Sequence, residues 1–179
     1  MSTTLRQAGV ALRLLVVMTL LLGVVYPVLV WGIGRAVPTV ADGSFVVGPS
    51  GSVVGSSLIG QPFDDARWFH PRPSAAGQGY DALASGGSNL AMDNPVQIKA
   101  VAERRAAVVA LDGAAGPDVP ADAVTASGSG LDPDISPDYA YLQVDRVAAA
   151  RKLDPTTVRA LVDAHVTGRT LGFVGEPRV

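Results

Sequence analysis

A glycine- and serine-rich stretch, "YDALASGGSNLAMDNP" from Tyr80 to Pro95, contains the residues best suited to bind a phosphate. Gly86, Gly87 and Ser88 could expose the run of backbone N–H groups that phosphate-binding loops use. Such loops, however, lead directly into a helix and usually carry a lysine, whereas "LAMDN" separates this turn from the next helix. Asp93 would also repel an anion there. We therefore interpret the stretch as a structural turn or a protein contact surface.

Other chemically capable side chains are too few, or wrongly spaced, for catalysis or metal binding. The two histidines, His70 and His165, have no third ligand at metal spacing. A G-x-S-x-G elbow is missing, which weakens the case for a serine hydrolase. Asp132, Asp134 and Asp138 offer oxygen atoms to Ca²⁺ but lack the glycine and terminal glutamate of an EF-hand. We expect no catalytic residue and no metal site.

The aromatic segment "QPFDDARWFHPRPSA", from Gln61 to Ala75, is predicted to be an ordered loop. Its three prolines exclude a long helix and a central strand. Trp68 and Phe69 within it are expected to serve as core or interface anchors, because aromatic side chains bury large apolar areas.

Composition restricts the class of protein. The chain has 179 residues, a net charge of −2 and no cysteine, so it has no disulfide framework and no thiolate chemistry. A slightly negative chain offers no field for nucleic-acid phosphates, so we expect no nucleic-acid partner. The hydrophobic share of 48% against 17% charged residues indicates a membrane segment.

That segment runs from Leu14 to Ile33, a stretch without a charged residue. A helix of this length rises about 30 Å, the thickness of the hydrocarbon core, and Tyr26 and Trp31 suit one membrane interface. The alternative is a cleaved signal peptide, whose apolar region is usually about 7–15 residues long and ends at an A-x-A site. The longer run and the poor "TVA" near Thr39 favour an uncleaved anchor.

The flanking charges predict the orientation of the anchor. Arg6 and Arg13 precede it, and Arg35 alone follows it, which places the N-terminus in the cytoplasm. We expect residues 1–35 to form a cytoplasmic tip and single-pass anchor in the bacterial inner membrane. Residues 36–179 would form a mildly acidic extracytoplasmic domain.

The pattern of that domain predicts an α+β (mixed α/β) fold. Cap residues followed by proline begin three helices, at Asn94, Ser136 and Asp154, with Gly113 and Gly168 ending the first and third. The first helix is expected to turn Lys99, Arg104 and Arg105 to solvent, and the second to carry Tyr141, Val144, Val147 and Ala148 on one stripe. Strands are predicted at "FVV" (45–47), at Ser52–Gly60, around Val124 and at Thr170–Gly175.

Several long motifs in one order resemble the C subunit of the bacterial Kdp-type potassium-transporting P-type ATPase. The similarity covers nearly the whole chain. The closing segment of that family usually continues beyond "GEPRV", which leaves the completeness of the last strand open. The motifs are "YP" (26–27), "GSSLIGQPF" (55–63), "WFHPRPSA" (68–75), "ASGGSNLAMDNP" (84–95), "VPADAVTASGSGLDPDISPDYA" (119–140) and "RVAAAR" (146–151).

The resemblance implies a non-catalytic accessory subunit without a cofactor of its own, for which ATP and potassium are reached through the complex. Its partners would be a channel-like potassium-translocating subunit, an ATP-hydrolysing P-type subunit, a very small membrane peptide and the lipid bilayer. The anchor would pack through Gly23, Pro27 and Gly32. Candidate interface residues of the outer domain are Trp68, Phe69, His70, Arg72, Ser85, Gly86, Gly87, Ser88 and Asn89.

The family is also described as a catalytic chaperone that raises the nucleotide affinity of the ATPase subunit, with its outer domain over the potassium entrance. A direct phosphate contact by residues 85–89 would require them in the cytoplasm, contrary to the arginine flanks, so an indirect effect is favoured. Two other classes stay open: a membrane-anchored extracytoplasmic hydrolase, and a solute-binding or signalling domain.

The orientation is testable with a reporter fused behind Val179. Because the arginines hold the N-terminus inside, alkaline phosphatase at this position should be active and a cytoplasmic fluorescent reporter dark. Moving Arg6 and Arg13 to the other flank of the anchor should reverse both signals. A bright cytoplasmic reporter on the unaltered chain would contradict the predicted topology.

Overall fold

The structure, a computed structural model, describes residues 3–179 and divides into two compact units, one ending at Ser56 and one spanning Ser57–Val179. This boundary reflects packing within each unit and not position relative to a membrane. The predicted division after residue 35 therefore stays a prediction. Mixed helix and strand content is confirmed in coarse form, since the described residues form helices and one two-stranded sheet.

The first unit begins with a long apolar helix. Helix α1 (Thr3–Leu20) passes through a π-helical turn, Leu21–Val25, into α2 (Tyr26–Ala36), and a short α3 (Pro38–Ala41) follows. Thr3–Ala36 is the one helix of residues 3–179 that is long and apolar enough to cross a membrane. It contains the whole span predicted from Leu14 to Ile33.

A small hairpin completes this unit. Strand β1 (Phe45–Val47) pairs antiparallel with β2 (Val53–Ser56), and a bulge lies between Val46 and Val47. The strand predicted over Ser52–Gly60 is therefore real but shorter.

The second unit is built on four helices. They are α4 (Pro95–Asp112), α5 (Pro137–Leu142), α6 (Val144–Arg151) and α7 (Pro155–His165). The three predicted caps are confirmed: the side chains of Asn94, Ser136 and Asp154 each accept a backbone N–H of the first turn. Local chemistry sets these helix starts, because the capping oxygen satisfies an N–H that the helix itself leaves free.

Helix ends agree less well with the sequence. Gly113 ends α4 in the left-handed conformation with φ 69°, as predicted. The predicted second helix is interrupted at Gln143, whose side chain is used in a tertiary contact. Helix α7 ends at His165, before Gly168, because Thr167 leaves the helical path to pair its backbone with Arg178.

Two predicted strands are wrong. Val124 follows a 3₁₀ turn, Ala121–Ala123, and its backbone N–H donates to the Ala121 carbonyl at 3.2 Å. Its apolar side chain is buried in the core, which explains the strand-like signal. The segment Thr170–Gly175 folds back on itself in a tight turn, because Leu171 and Gly172 both have positive φ angles.

The predicted wet face of α4 is wrong in two of its three positions. Lys99 is exposed, but Arg104 and Arg105 are partly buried and donate to the carbonyls of Val124 and Gly116 at 3.1 and 2.8 Å. Their long apolar stems allow this, since such chains cover apolar surface while the charged group reaches an acceptor. The core beneath includes Val108, Val119, Val124, Ile135, Tyr139, Ala140, Val144, Val147, Ala148, Val158 and Val162.

Replacing the cap of α5 tests the link between local and tertiary order. Ser136 accepts the Tyr139 N–H and donates to Asp122 at 2.9 Å, so Ser136→Ala should lower the free energy of unfolding by about 1–2 kcal/mol. Chemical unfolding of the full chain in detergent measures the effect. The exposed Ser88→Ala is the matched control, and equal stability of both variants would contradict the role of the cap.

Candidate functional site

The predicted aromatic loop has a fixed backbone although it contains no helix or strand. The Arg146 side chain donates through its Nη1 atom to the carbonyls of Ala66 and Trp68 at 2.7 and 2.9 Å. The Arg151 Nε atom donates to the Arg67 carbonyl at 2.6 Å. Two arginines of α6 therefore hold the backbone carbonyls of three consecutive loop residues, Ala66, Arg67 and Trp68.

Gln143 binds both backbone polar groups of His70. Its side-chain oxygen accepts the His70 N–H at 2.6 Å, and its side-chain nitrogen donates to the His70 carbonyl at 3.1 Å. The same oxygen accepts the Arg146 Nη2 atom at 2.6 Å. Because Gln143 is fully buried, this amide acts as a substitute strand partner for the loop inside the protein.

A buried ion pair supports both of these contacts. The Arg146 Nε atom lies 2.6 Å from the Asp112 carboxylate, and the two side chains are only 7% and 1% exposed. A buried charge is stable only when it is paired and its remaining donors are satisfied, and Arg146 meets this condition through its three further hydrogen bonds. The end of α4 is thereby joined to α6 and to the loop.

The loop separates its two adjacent aromatic residues. Phe69 packs against the core, whereas Trp68 is 44% exposed. The Arg151 guanidinium lies 4.5 Å from the Trp68 ring centroid, and the Phe63 ring lies 5.8 Å away. Trp68 therefore presents a rigid, half-exposed aromatic surface, and Phe69 fixes its base.

Arg72 continues the same surface. Its Nη1 atom lies 2.9 Å from the Asp132 carboxylate, and the Tyr80 hydroxyl donates to the Arg72 carbonyl. Burial, together with the nearby Asp64 and Asp132 carboxylates, raises the pKa of Tyr80 to about 12. Tyr80 thus stays a neutral hydrogen-bond donor over the whole physiological range.

The glycine turn packs on a second glycine- and serine-rich segment, Ser127–Gly130. Ser129 accepts at its carbonyl the Gly86 N–H at 2.8 Å and the Ser85 hydroxyl at 3.0 Å. A Cβ atom at Gly87 would lie 3.2 Å from the Gly128 carbonyl oxygen. The Gly86 amide that a phosphate cradle would need is therefore already used, and the absence of a side chain at Gly87 allows this close backbone packing. The neighbouring Ser88 and Asn89 are exposed.

The motif Trp68–Ala75 and the glycine turn both contact the segment Ser127–Gly130. The Ser74 hydroxyl donates to the Gly130 carbonyl at 2.6 Å, and a Cβ atom at Gly130 would lie 2.5 Å from the Gly86 carbonyl oxygen. The sequence by itself predicts no site role for this segment or for Arg146 and Gln143, and for Asp112 it predicts only a place at the end of a helix. The segment and Arg146 lie within "VPADAVTASGSGLDPDISPDYA" and "RVAAAR", the motifs that carry the resemblance.

The remaining catalytic and metal-binding candidates are engaged in ordinary hydrogen bonds and ion pairs. His70 places its ring nitrogen 3.3 Å from the Asp65 carbonyl, and His165 bonds back to Leu161 within α7. Asp132 and Asp134 pair with Arg72 and Arg178. Among residues 3–179, no group of three or more potential metal-binding side chains was found.

In the apolar helix, Gly23 lies in the π-helical turn, Pro27 lies two residues after the end of that turn, and Gly32 lies farther along α2. A Cβ atom built at Gly23 or Gly32 would meet no other part of this chain within 4 Å.

The chain combines an apolar helix long enough to cross a membrane with a second unit whose loop is held by buried polar contacts. This combination fits a subunit of a membrane complex. Residues 8–179 match the model of the family described as "KdpC: K+-transporting ATPase, c chain". The chain therefore belongs to the KdpC family, a non-catalytic subunit family of the potassium-transporting ATPase.

Relatives that carry the same family name are similar to this chain over nearly its whole length. The Potassium-transporting ATPase KdpC subunit of Kineococcus radiotolerans is 58% identical over 179 residues, which is 100% of this chain and 91% of the relative. Subunits of the same name are 51% identical in Citrifermentans bemidjiense, over 94% of this chain and 89% of the relative, and 46% identical in Streptomyces coelicolor, over 100% and 92%. The expected family resemblance is confirmed.

The buried pair is tested by removing its positive member. Arg146→Leu leaves the Asp112 carboxylate buried without a partner, which should lower the free energy of unfolding by about 3–5 kcal/mol. Chemical unfolding in detergent measures the loss. Arg67→Leu, at the exposed pair with Asp65, is the control and should unfold like the unaltered chain. Equal stability of the two variants would show that the buried pair does not brace the loop.

Proposed function

We propose that the chain is the accessory subunit of an ATP-driven, high-affinity potassium uptake complex, where it supports assembly and raises the nucleotide affinity of the ATP-hydrolysing subunit. Its partners are the channel-like potassium-translocating subunit, the P-type ATPase subunit and the small membrane peptide. Family membership supports the coarse part of this proposal, and the braced aromatic loop supports the contact with a partner.

The single observation that carries the partner role is the rigid exposure of Trp68. Half-exposed tryptophan is enriched at binding hot spots, where a fixed aromatic ring fills a pocket of the partner with little loss of conformational freedom. Here Arg146 holds the backbone of Trp68, and Arg151 covers one face of its ring. Burying the Arg146–Asp112 ion pair carries a desolvation penalty, and the resulting rigidity of the loop is consistent with a role in binding.

The glycine turn would extend this interface. Ser88 and Asn89 are exposed on a backbone held by Ser129, and Asn89 adopts a positive φ of 52°. A non-glycine residue in that conformation carries a small strain, which a surrounding structure must hold. We propose that Ser85–Asn89 and the Trp68–Arg72 loop contact the same partner, since both rest on Ser127–Gly130 and its continuation at Asp132.

The effect on nucleotide affinity would be indirect. The proposed outer domain, residues 36–179, lies over the potassium entrance of the channel-like subunit, while N-terminal residues 1–35 anchor it in the inner membrane. Binding energy at the aromatic loop would then favour one arrangement of the complex, and that arrangement binds ATP more tightly. Such coupling needs no contact between this chain and ATP.

Replacing Trp68 tests the proposal. Trp68→Ala should weaken association with the other subunits by about 30-fold or more, the loss expected at a hot spot, and should lower potassium-stimulated ATPase activity in parallel. Affinity purification from detergent followed by subunit quantification measures the first effect. The ATP dependence of turnover measures the second.

Phe173→Ala is the matched control, since Phe173 is 72% exposed in the same unit and lies in a separate turn. It should leave both measurements unchanged. Full subunit stoichiometry and unchanged activity with Trp68→Ala would remove Trp68 from the interface. Absence of the unaltered chain from the purified complex would refute the accessory-subunit role itself.

A further inference from the structure

The membrane segment contains an irregular turn at a defined place. Between α1 and α2, residues Leu21–Val25 widen into a π-helical turn, and Pro27 follows two residues later. Proline has no backbone N–H, so it cannot donate to the preceding turn of a helix. A π-helical turn at such a place changes which carbonyl groups find a donor.

Counting donors identifies the Leu22 carbonyl as a group without a helical partner. The Tyr26 N–H donates to the Leu21 carbonyl, five residues back. The Leu22 carbonyl would need the N–H of residue 27 to continue that spacing. Because residue 27 is proline, this bond cannot form.

This group lies in an apolar stretch where an unpaired carbonyl is costly. In the hydrocarbon core there is no water to replace the lost donor, so freed carbonyls are satisfied by neighbouring helices or polar side chains. Carbonyls point toward the C-terminal end of a helix. One turn later, Pro27 and Val28 have no side-chain donor, and Tyr26 carries its hydroxyl at the end of a ring that is 62% exposed. Gly23 has no side chain, so another helix can approach the backbone of this turn closely.

We propose that the Leu22 carbonyl accepts a hydrogen bond from a hydroxyl, amide or indole N–H side chain on a transmembrane helix of another subunit. The missing donor defines the chemistry of the occupant, and the absent side chain at Gly23 gives it access. This inference rests on the proposed function and specifies the kind of partner group that the anchor meets.

Restoring the missing N–H tests the inference in the full complex. In Pro27→Ala the new backbone N–H can pair with the freed Leu22 carbonyl, so the partner donor loses its acceptor. The dissociation constant for the rest of the complex in detergent should rise about threefold to tenfold, the size expected for one interhelical hydrogen bond. Val28→Ala, which removes side-chain volume but no donor, should change it less.

A double-mutant cycle separates hydrogen bonding from a change in helix shape. The chain has no cysteine, so Gly23→Cys provides a unique cross-linking site that marks the facing partner helix, with Leu21→Cys on the opposite side as control. Each donor on that helix is then replaced by its apolar isostere, Ser by Ala, Thr by Val or Tyr by Phe.

The inference is supported if one such replacement weakens binding of the unaltered chain but not of Pro27→Ala. It is overturned if every replacement acts equally in both backgrounds, or if Pro27→Ala binds as tightly as the unaltered chain. Either of these outcomes leaves the proposed function standing, as long as the unaltered chain still co-purifies with the complex. Loss of co-purification by the unaltered chain overturns both.

Discussion

The ion pair between Arg146 and Asp112 is the interaction on which the second unit depends. Both side chains of the pair are buried, so its charges would be unfavourable unless each nitrogen atom of the guanidinium had an acceptor. Those acceptors are the Asp112 carboxylate at the end of α4, the Gln143 amide and the carbonyls of the aromatic loop. One side chain therefore connects two helices to a segment that has no regular structure.

This arrangement explains how a proline-rich loop becomes a defined surface. Prolines 71 and 73 remove backbone donors and exclude ladder pairing, so the loop cannot be ordered by a sheet. Side-chain donors from α6 take over that role, and Gln143 completes it by pairing both polar groups of the His70 backbone. Trp68 then stays outside while Phe69 enters the core, although the two are neighbours in sequence.

The same requirement, that every buried backbone group needs a partner, has opposite consequences in the two units. In the second unit, loop carbonyls are satisfied within the chain by arginine and glutamine side chains. In the apolar helix of the first unit, Pro27 removes the backbone donor for the Leu22 carbonyl, and the proposed substitute comes from a partner subunit. A self-contained surface and an incomplete helix are both suited to a subunit of a larger assembly.

The sequence alone determined the apolar helix, the three capped helix starts and the family. These features depend on local chemistry: a charge-free run, and an Asn, Ser or Asp oxygen placed just before proline. Only the tertiary structure decided that Val124 and Thr170–Gly175 are turns, that Gln143 interrupts a helix, and that Arg104 and Arg105 face inward. It also decided that Arg146 reaches Trp68, 78 residues earlier in the chain. Contacts over such separations leave no periodic signal in one sequence, because they depend on where separate elements meet in space.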